Sequence, residues 1–374
     1  MKKIGIITTF RQPNWGSVLQ AYATQKAVES LGYKAQVIDY VYPNNYHIER
    51  GYWHPTHIPI KRRIAIWLGI VPPTKMMLLN DFIKKEMNVS KKIDSREELK
   101  DIANDYDIFL SGSDQIWNPN TMYGDMSYMF DFTPASAKRI SYASSFSCSF
   151  IPKEYIDQYK SNLNRMHAIS VREQNGADLV KQLIGKDAKV VLDPTLLLDK
   201  AQWSELGEKS YGLDLPKRYI VCYMLGYTYS PDEAMSRLLS RIQKDLELPV
   251  LFLGKKPKGF KGDTIVLPKR KDIGIYDFLY IIKNAECVVT SSFHGTAFSL
   301  NFGVPFLALT DGASNSDDRI SSILNKMNMQ DKLVTTASPI EIMNINYEYD
   351  AEKEQSKLES LRKDSLEFLA ESLK

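Results

Sequence analysis

The stretch CVVTSSFHGTAFSLNFGVPFLAL, Cys287 to Leu309, reads as strand, helix and strand in succession. Its opening CVVTSS (287–292) is a short apolar run, the signature of a parallel strand buried on both faces. A helix is expected from about His294 to about Asn301, closed by Gly303 and Pro305 in the usual order of a helix stop. PFLAL (305–309) then resumes the apolar run. Two parallel strands joined by a helix make a βαβ unit, whose crossover is right-handed.

The same alternation runs outward through the chain. KIGIITT (2–8), a helix over 17–31 with Val18, Leu19, Tyr22, Ala23, Val28 and Leu31 at helical spacing, Gly32 as its stop, and AQVIDY (35–40) form the first unit of this kind. DIFLSG (107–112), RISYAS (139–144), AISVRE (168–173) and KVVLDP (189–194) are further strands. A second series begins with RYIVCYML (218–225). It continues through a helix over 231–246, PVLFLG (249–254), DTIVLP (263–268) and a helix over 275–285 before reaching the His294 segment. Pro194, Gly207, Gly212 and Pro216 mark 193–217 as the hinge. The expected fold is α/β, with two Rossmann-like, doubly wound domains facing a cleft at 1–200 and 213–345. A charged amphipathic helix over 350–374 is expected to pack back on the first domain.

Composition sets outer limits. A chain of 374 residues with 44% hydrophobic and 25% charged residues has the makeup of a globular protein. A net charge of +3 is too small to suggest a nucleic-acid partner. Cys148, Cys222 and Cys287 form no CxxC pair, which fits a reducing, cytoplasmic compartment and disfavours structural zinc. The N-terminus reads as a strand and not as a signal peptide, and no apolar run is long enough to span a membrane.

In open α/β sheets ligands bind beyond the carboxyl ends of strands. His294 falls at such a point. The N–H groups of Gly295 and Thr296 are expected to be first-turn donors open to an anion, with Gly295 allowing close approach and Ser291 and Ser292 adding hydroxyls. An imidazole beside a bound anion suits acid–base work near neutral pH. A capping or buried histidine bonded to backbone fits the same position. Arg172 ends AISVRE and could grip phosphate or carboxylate through two donors; a salt bridge to Glu173 or another acid is the plainer account.

Two loops look suited to a sugar. In SGSDQIWNP (111–119), Asp114, Gln115 and Asn118 could meet hydroxyls and Trp117 could stack on a ring; a capped turn with a packed tryptophan reads equally well. FRQPNWGS, after the first strand, offers Asn14, Trp15 and Gly16. It is not a GxGxxG loop, so a dinucleotide cofactor is disfavoured.

These segments together resemble the polysaccharide pyruvyl transferase family over most of the chain. The resemblance rests on IGIITTFRQPNWGSVLQAYATQKAVESLGY, YDIFLSGSDQIWNP, ISVRE, VVLDPTLLL, FLYIIKNAECVVTSSFHGTAFSLNFGVPF and NSDDRISSIL. It implies a fold similar to the GT-B glycosyltransferases. It also implies transfer of the pyruvyl group of phosphoenolpyruvate to a sugar as a cyclic ketal, with arginines and a histidine at the donor site and no cofactor. Arg172 and His294 take those places by resemblance. Some relatives carry Arg-x-His where this chain has Ser292, and Arg319 is the residue expected to replace the missing arginine; a surface ion pair with Asp317 or Asp318 is the plainer account of Arg319. Capsular or exopolysaccharide synthesis is the implied setting, with galactose of a lipid-linked oligosaccharide as the implied acceptor.

Two other functions fit the architecture. One is a glycosyltransferase using a nucleotide-sugar donor; the Glu-x7-Glu spacing of many such enzymes occurs here only as Glu359 and Glu367, in the terminal helix. The other is a non-catalytic binder of phosphorylated sugars. Residues 51–92 carry eight Lys or Arg against Asp81 and Glu86, interleaved with Trp53, Trp67, Met76, Met77, Leu78, Leu79 and Phe82. That pattern suits contact with the inner face of a membrane or with a polyprenyl-pyrophosphate-linked acceptor. A helical insertion packed on the first domain has the same pattern. His54 and His57 lack the companions of a metal site.

Overall fold

The computed structural model describes residues 2–40, 60–67, 73–93, 95–122, 124–225, 229–267, 272–312 and 319–374. Its described residues divide into two compact units, Met1–Leu198 with Leu361–Lys374, and Asp199–Ser360.

The first unit is built on a seven-stranded sheet: β1 (Lys3–Ile7), β2 (Lys34–Tyr40), β3 (Val89–Ile93), β4 (Ile108–Ser111), β5 (Lys138–Ser144), β6 (Ala168–Val171) and β7 (Lys189–Val190). Every neighbouring pair is parallel, in the order β3-β2-β1-β4-β5-β6-β7. This is the Rossmann order, with its topological switch between β1 and β4. Ile4, Ile6 and Ile7 of β1 are buried on both faces, as the continuous apolar run predicts. Gly5 is needed there: a Cβ would lie 2.8 Å from the Tyr106 ring.

The helix Trp15–Ser30 starts two residues earlier than the periodicity predicts, because Asn14 caps it: Asn14 Oδ1 accepts from the Gly16 N–H at 2.9 Å. Strand β3, VSKKI, has no apolar alternation and escapes a pattern reading; among the described residues it is an edge strand that pairs with β2 alone. The terminal helix Ala351–Leu373 meets the other edge and the chain beyond it, with Lys189 Nζ of β7 donating to Asp364 Oδ1 at 2.6 Å. Ser365 Oγ accepts the Leu192 N–H at 3.1 Å, and Arg362 Nε donates to the Leu196 carbonyl at 2.7 Å.

Part of the basic segment is described. The helix Lys75–Glu86 buries Leu79, Phe82 and Ile83, and Phe82 meets Tyr22 edge-on at 5.4 Å. Its apolar side is therefore used against the first unit. Residues 51–59 and 68–72, with Trp53, His54 and His57, lie outside the described residues. No helix among the described residues is long and apolar enough to cross a membrane.

The second unit holds β8 (Ile220–Tyr223), β9 (Val250–Phe252), β10 (Cys287–Thr290), β11 (Phe306–Thr310) and β12 (Leu333–Thr335), all parallel, in the order β12-β11-β10-β8-β9. The expected strand 263–268 is reduced to one bridge on the outer side of β9, Val250 with Thr264. Counting it, the second sheet repeats the Rossmann order, with its switch between β8 and β10. The expected hinge is shorter than its glycines and prolines suggest. The helix Lys200–Gly207 lies inside it, capped by Asp199, with Trp203 edge-on to Phe298 at 5.1 Å. That segment thus joins the core of the second unit, and the division falls at Leu198 and Asp199.

Candidate functional site

In the second unit, the switch point is stitched by hydroxyls. Ser291 Oγ accepts the Leu225 N–H at 2.8 Å and donates to the Leu225 carbonyl at 2.7 Å. Thr290 Oγ1 donates to the Tyr223 carbonyl at 2.7 Å and accepts the Ser292 N–H at 3.0 Å. The helix Phe293–Phe302 follows, with Ser292 as its N-cap. His294 sits in the first turn, 5% exposed, with its ring edge-on to Phe293 at 5.3 Å.

Two expectations about this turn are corrected. Gly295 and Thr296 do not offer open amides: the Gly295 N–H donates to Ser292 Oγ at 3.4 Å, and the Thr296 N–H to the Ser292 carbonyl at 3.1 Å. Nor does Gly295 make room for a ligand. A Cβ there would lie 2.2 Å from Thr290 Oγ1 and 2.9 Å from Thr290 Cβ. The glycine lets the helix lie tight against its own strand, as the third glycine of a Rossmann turn does. Gly295→Ala is accordingly expected to lose about 2–3 kcal/mol, because a β-branched neighbour bonded on both sides cannot move aside cheaply. Urea unfolding measures it; a midpoint equal to wild type would mean the helix lifts from the strand at no cost. Ser291 and Ser292 are likewise engaged in bonds within the unit. Arg319 is buried at the start of the helix Arg319–Met327, while its expected neighbours Asp317 and Asp318 lie outside the described residues.

The first unit gathers a different chemistry. Arg172, just past β6, has a side chain only 1% exposed. Its Nη1 donates to Asp193 Oδ2 at 2.9 Å. Asp114 Oδ1 lies 3.9 Å from Nη2 and Glu173 Oε2 lies 3.9 Å from Nε, so three carboxylates surround one guanidinium. The open grip on phosphate expected of Arg172 gives way to the alternative, a salt bridge with Glu173 and other acids, but one buried in an ion cluster and not at the surface. Each acid is itself held. Ser113 Oγ donates to Asp193 Oδ2 at 2.8 Å, and Ser17 Oγ to Asp114 Oδ2 at 2.7 Å. Ser145 Oγ, the Phe146 N–H and the Ser147 N–H all donate to Glu173 Oε1, at 2.9, 2.8 and 3.2 Å.

Asp114 and Gln115 are half-buried at the end of β4. Asp114 has a φ of +78°, and Ala143 and Ser147, on the neighbouring strand and loop, have φ of +54° and +47°. Each such residue costs about 1–3 kcal/mol, strain that characteristically gathers at functional sites. The bulge at Ala143 shifts the register between Ser141 and Ser144. It is accompanied by a bridge between Ser144 and Asp114.

The expected sugar platform does not form at Trp117. It is 1% exposed, lies edge-on to Phe146 at 5.3 Å and donates its indole N–H to the Tyr128 carbonyl at 3.2 Å. Asn118 Oδ1 accepts the Asn120 N–H at 2.9 Å, so this stretch is the capped turn that the sequence equally allowed. Asn14 is the N-cap of the first helix, Gly16 is buried behind it, and the buried Trp15 ring carries Lys75 Nζ 3.2 Å from its centroid.

Sequence reading missed Asp193, Ser17 and Ser113 as members of the cluster; Glu173, offered as a salt-bridge partner of Arg172, does belong to it. Asp193 had one signal, an aspartate between the end of a strand pattern and Pro194, which reads as an ordinary turn. The cysteines offer no nucleophile: burial pushes the thiols of Cys148 and Cys287 up to about 12 and that of Cys222 well above its usual value.

Known structures share this architecture. A UDP-GlcNAc 2-epimerase from Methanocaldococcus jannaschii superimposes with a TM-score of 0.52 at 11% identity, over 96% of this chain and 99% of its own. The UDP-GlcNAc 2-epimerase of Neisseria meningitidis gives 0.51 at 8% identity, over 100% and 99%. That of Rickettsia bellii gives 0.50 at 11%, over 99% and 96%. At such identities the likeness defines the fold class alone: two Rossmann-like sheets of the GT-B kind. No curated protein matches the chain by sequence. The sequence profile of the polysaccharide pyruvyl transferase family matches residues 14–312, and the chain belongs to that family of transferases.

Proposed function

We propose that this protein moves the pyruvyl group of phosphoenolpyruvate onto two hydroxyls of a sugar as a cyclic ketal. The observation that carries the reading is the family match, whose span includes both His294 and Arg172. The strained Asp114 loop and the buried acid cluster support a sugar site in the first unit.

The chemistry balances without a cofactor. A proton added to the methylene carbon of phosphoenolpyruvate turns it into a methyl group and leaves C2 with oxocarbenium character. One sugar hydroxyl forms a C–O bond to C2 and loses its proton. The bond from C2 to the phosphate oxygen breaks, and a second hydroxyl closes the ketal and loses its proton. One proton remains on the methyl and one leaves on inorganic phosphate. His294 is the group given the proton transfers. Asp114, held half-exposed by Ser17, is given an acceptor hydroxyl.

Three carboxylates around Arg172 make the first unit a poor host for a trianionic donor, because each phosphate oxygen would face uncompensated negative charge. Arg172 is therefore given the task of holding Asp114 and Asp193 in place, and donor binding falls to the second unit with Arg319. The implied acceptor is galactose on a lipid carrier, handled at the inner face of the cell membrane.

The test is incubation with phosphoenolpyruvate and p-nitrophenyl galactosides, reading phosphate release and a mass gain of one pyruvic acid less one water on the sugar. Nucleotide release from a nucleotide-sugar in the same assay, with none of phosphate, would favour a glycosyltransferase instead. Silence with both donors would leave a binding protein.

A further inference from the structure

With Trp117 buried, the acceptor site of the reading above lacks the apolar face that a sugar ring requires. Sugars are recognised by hydroxyl partners set beside an apolar surface for the C–H face of the ring. Asp114 and Gln115 provide the first. The second lies one loop away.

The segment after β5, Ser145–Ile151, is held on nearly every side. Its amides and Ser145 Oγ converge on Glu173, as described. The Ser145 carbonyl accepts the Trp117 N–H at 3.1 Å, and the Ser147 carbonyl accepts Asn118 Nδ2 at 3.4 Å. Phe146, Cys148 and Ile151 are buried. Among these anchors Phe150 stands 64% exposed. Burying a phenyl ring is worth about 1.5–3 kcal/mol, so holding one out on a fixed loop forgoes that gain. The exposed large hydrophobic residues among those described are Ile64, Phe150, Tyr211, Val266 and Ile342. Of these, Phe150 is the one that follows the carboxyl end of a strand in the first sheet. Its loop is also the one bonded to the Asp114–Asn118 turn.

We propose that Phe150 is the stacking platform of the acceptor sugar and thereby sets which pyranose face is accepted. The inference rests on the pyruvyl transfer reading for the name of the acceptor, but it concerns sugar binding and can be tested apart from turnover. A stacked ring on a fixed loop loses little entropy on binding. The platform selects sugars with an unbroken patch of C–H bonds on one face, such as the patch that H3, H4 and H5 of galactose form opposite its axial 4-hydroxyl.

The experiment uses the whole chain and Phe150→Ala, with Phe150→Trp as the conservative variant. Saturation-transfer NMR is recorded on methyl β-galactoside, methyl β-glucoside and methyl α-mannoside. Alongside it, acceptor and phosphoenolpyruvate KM are measured with p-nitrophenyl β-galactoside. Phe150→Ala is expected to weaken sugar binding and raise acceptor KM about five- to tenfold, the worth of one aromatic contact. The phosphoenolpyruvate KM and kcat should stay within about twofold, and Phe150→Trp should restore the acceptor KM. If wild type binds a sugar but releases no phosphate, pyruvyl transfer is wrong while loss of saturation transfer in Phe150→Ala still upholds the platform. If the acceptor KM or sugar binding is unchanged in Phe150→Ala, or no sugar receives saturation from wild type, the platform is overturned.

Discussion

His294→Ala should fold as wild type does and lose turnover by roughly 100-fold or more, the usual loss when a general acid–base is removed. The loss is expected in kcat, with KM for phosphoenolpyruvate changed little, because proton transfer is made in the transition state and not on binding. His294 lies in the first turn of a helix whose other residues form the core, so truncation removes a ring at the helix end and not a central packing group. Alanine is also the best helix former at that position. His294→Gln separates shape from chemistry: it keeps volume and hydrogen-bonding capacity but transfers no proton, and it should be as inactive. Thermal unfolding and a steady-state phosphate-release assay check both variants. Near-wild-type kcat in either would remove His294 from the mechanism.

Arg172→Ala should lose about 3–5 kcal/mol of stability, the cost of removing one partner from a buried ion pair. The reason is specific. Asp193 is fully buried and Glu173 nearly so, and both are held by hydroxyls and amides in positions arranged around the guanidinium. Without Arg172 the carboxylates repel one another with no cation to offset them. Arg172→Lys keeps the charge but loses the fork that reaches three acids at once, and should fall between the two. Because the chain has two units, unfolding is best followed by urea titration with probes in each; the first unit should unfold earlier, with the second unmoved. In Arg172→Lys, an unchanged phosphoenolpyruvate KM with a raised acceptor KM would fit the positioning role, and the reverse would return Arg172 to the donor. Equal stability of Arg172→Ala and wild type would show that the cluster contributes nothing to the fold.

The cluster also shows where reading from sequence stops. AISVRE displayed Arg172 at a strand end, and SGSDQIWNP displayed Asp114 and Trp117, but neither told which would face solvent. Trp117 and Phe150 are both aromatic and both follow a strand. One is packed against Phe146 and the other is held outward. The choice depends on the bulge at Ala143 and on Glu173 drawing in the loop amides, contacts between strands far apart in the chain. Likewise Gly295 suggested a ligand cradle, and the absent Cβ is in fact occupied by Thr290.

What the sequence determined alone is the periodic part. Short apolar runs alternating with amphipathic stretches can bury their apolar surface only as parallel strands covered by helices, and right-handed crossovers then set the order of the strands. Gly32 and Gly303 as stops are legible as local chemistry that needs no distant partner, whereas Asn14 and Ser292, read as ligand contacts, are helix caps. What only the tertiary structure decided is which side chains meet. Edge strand β3 carries no apolar pattern, and only its pairing with β2 in the folded sheet shows it to be a strand. The ion cluster joins residues from four strand ends, and the exposure of a single ring depends on bonds from three of them. Such pairings are set by packing across the sheet, a property of the folded chain that no local stretch encodes.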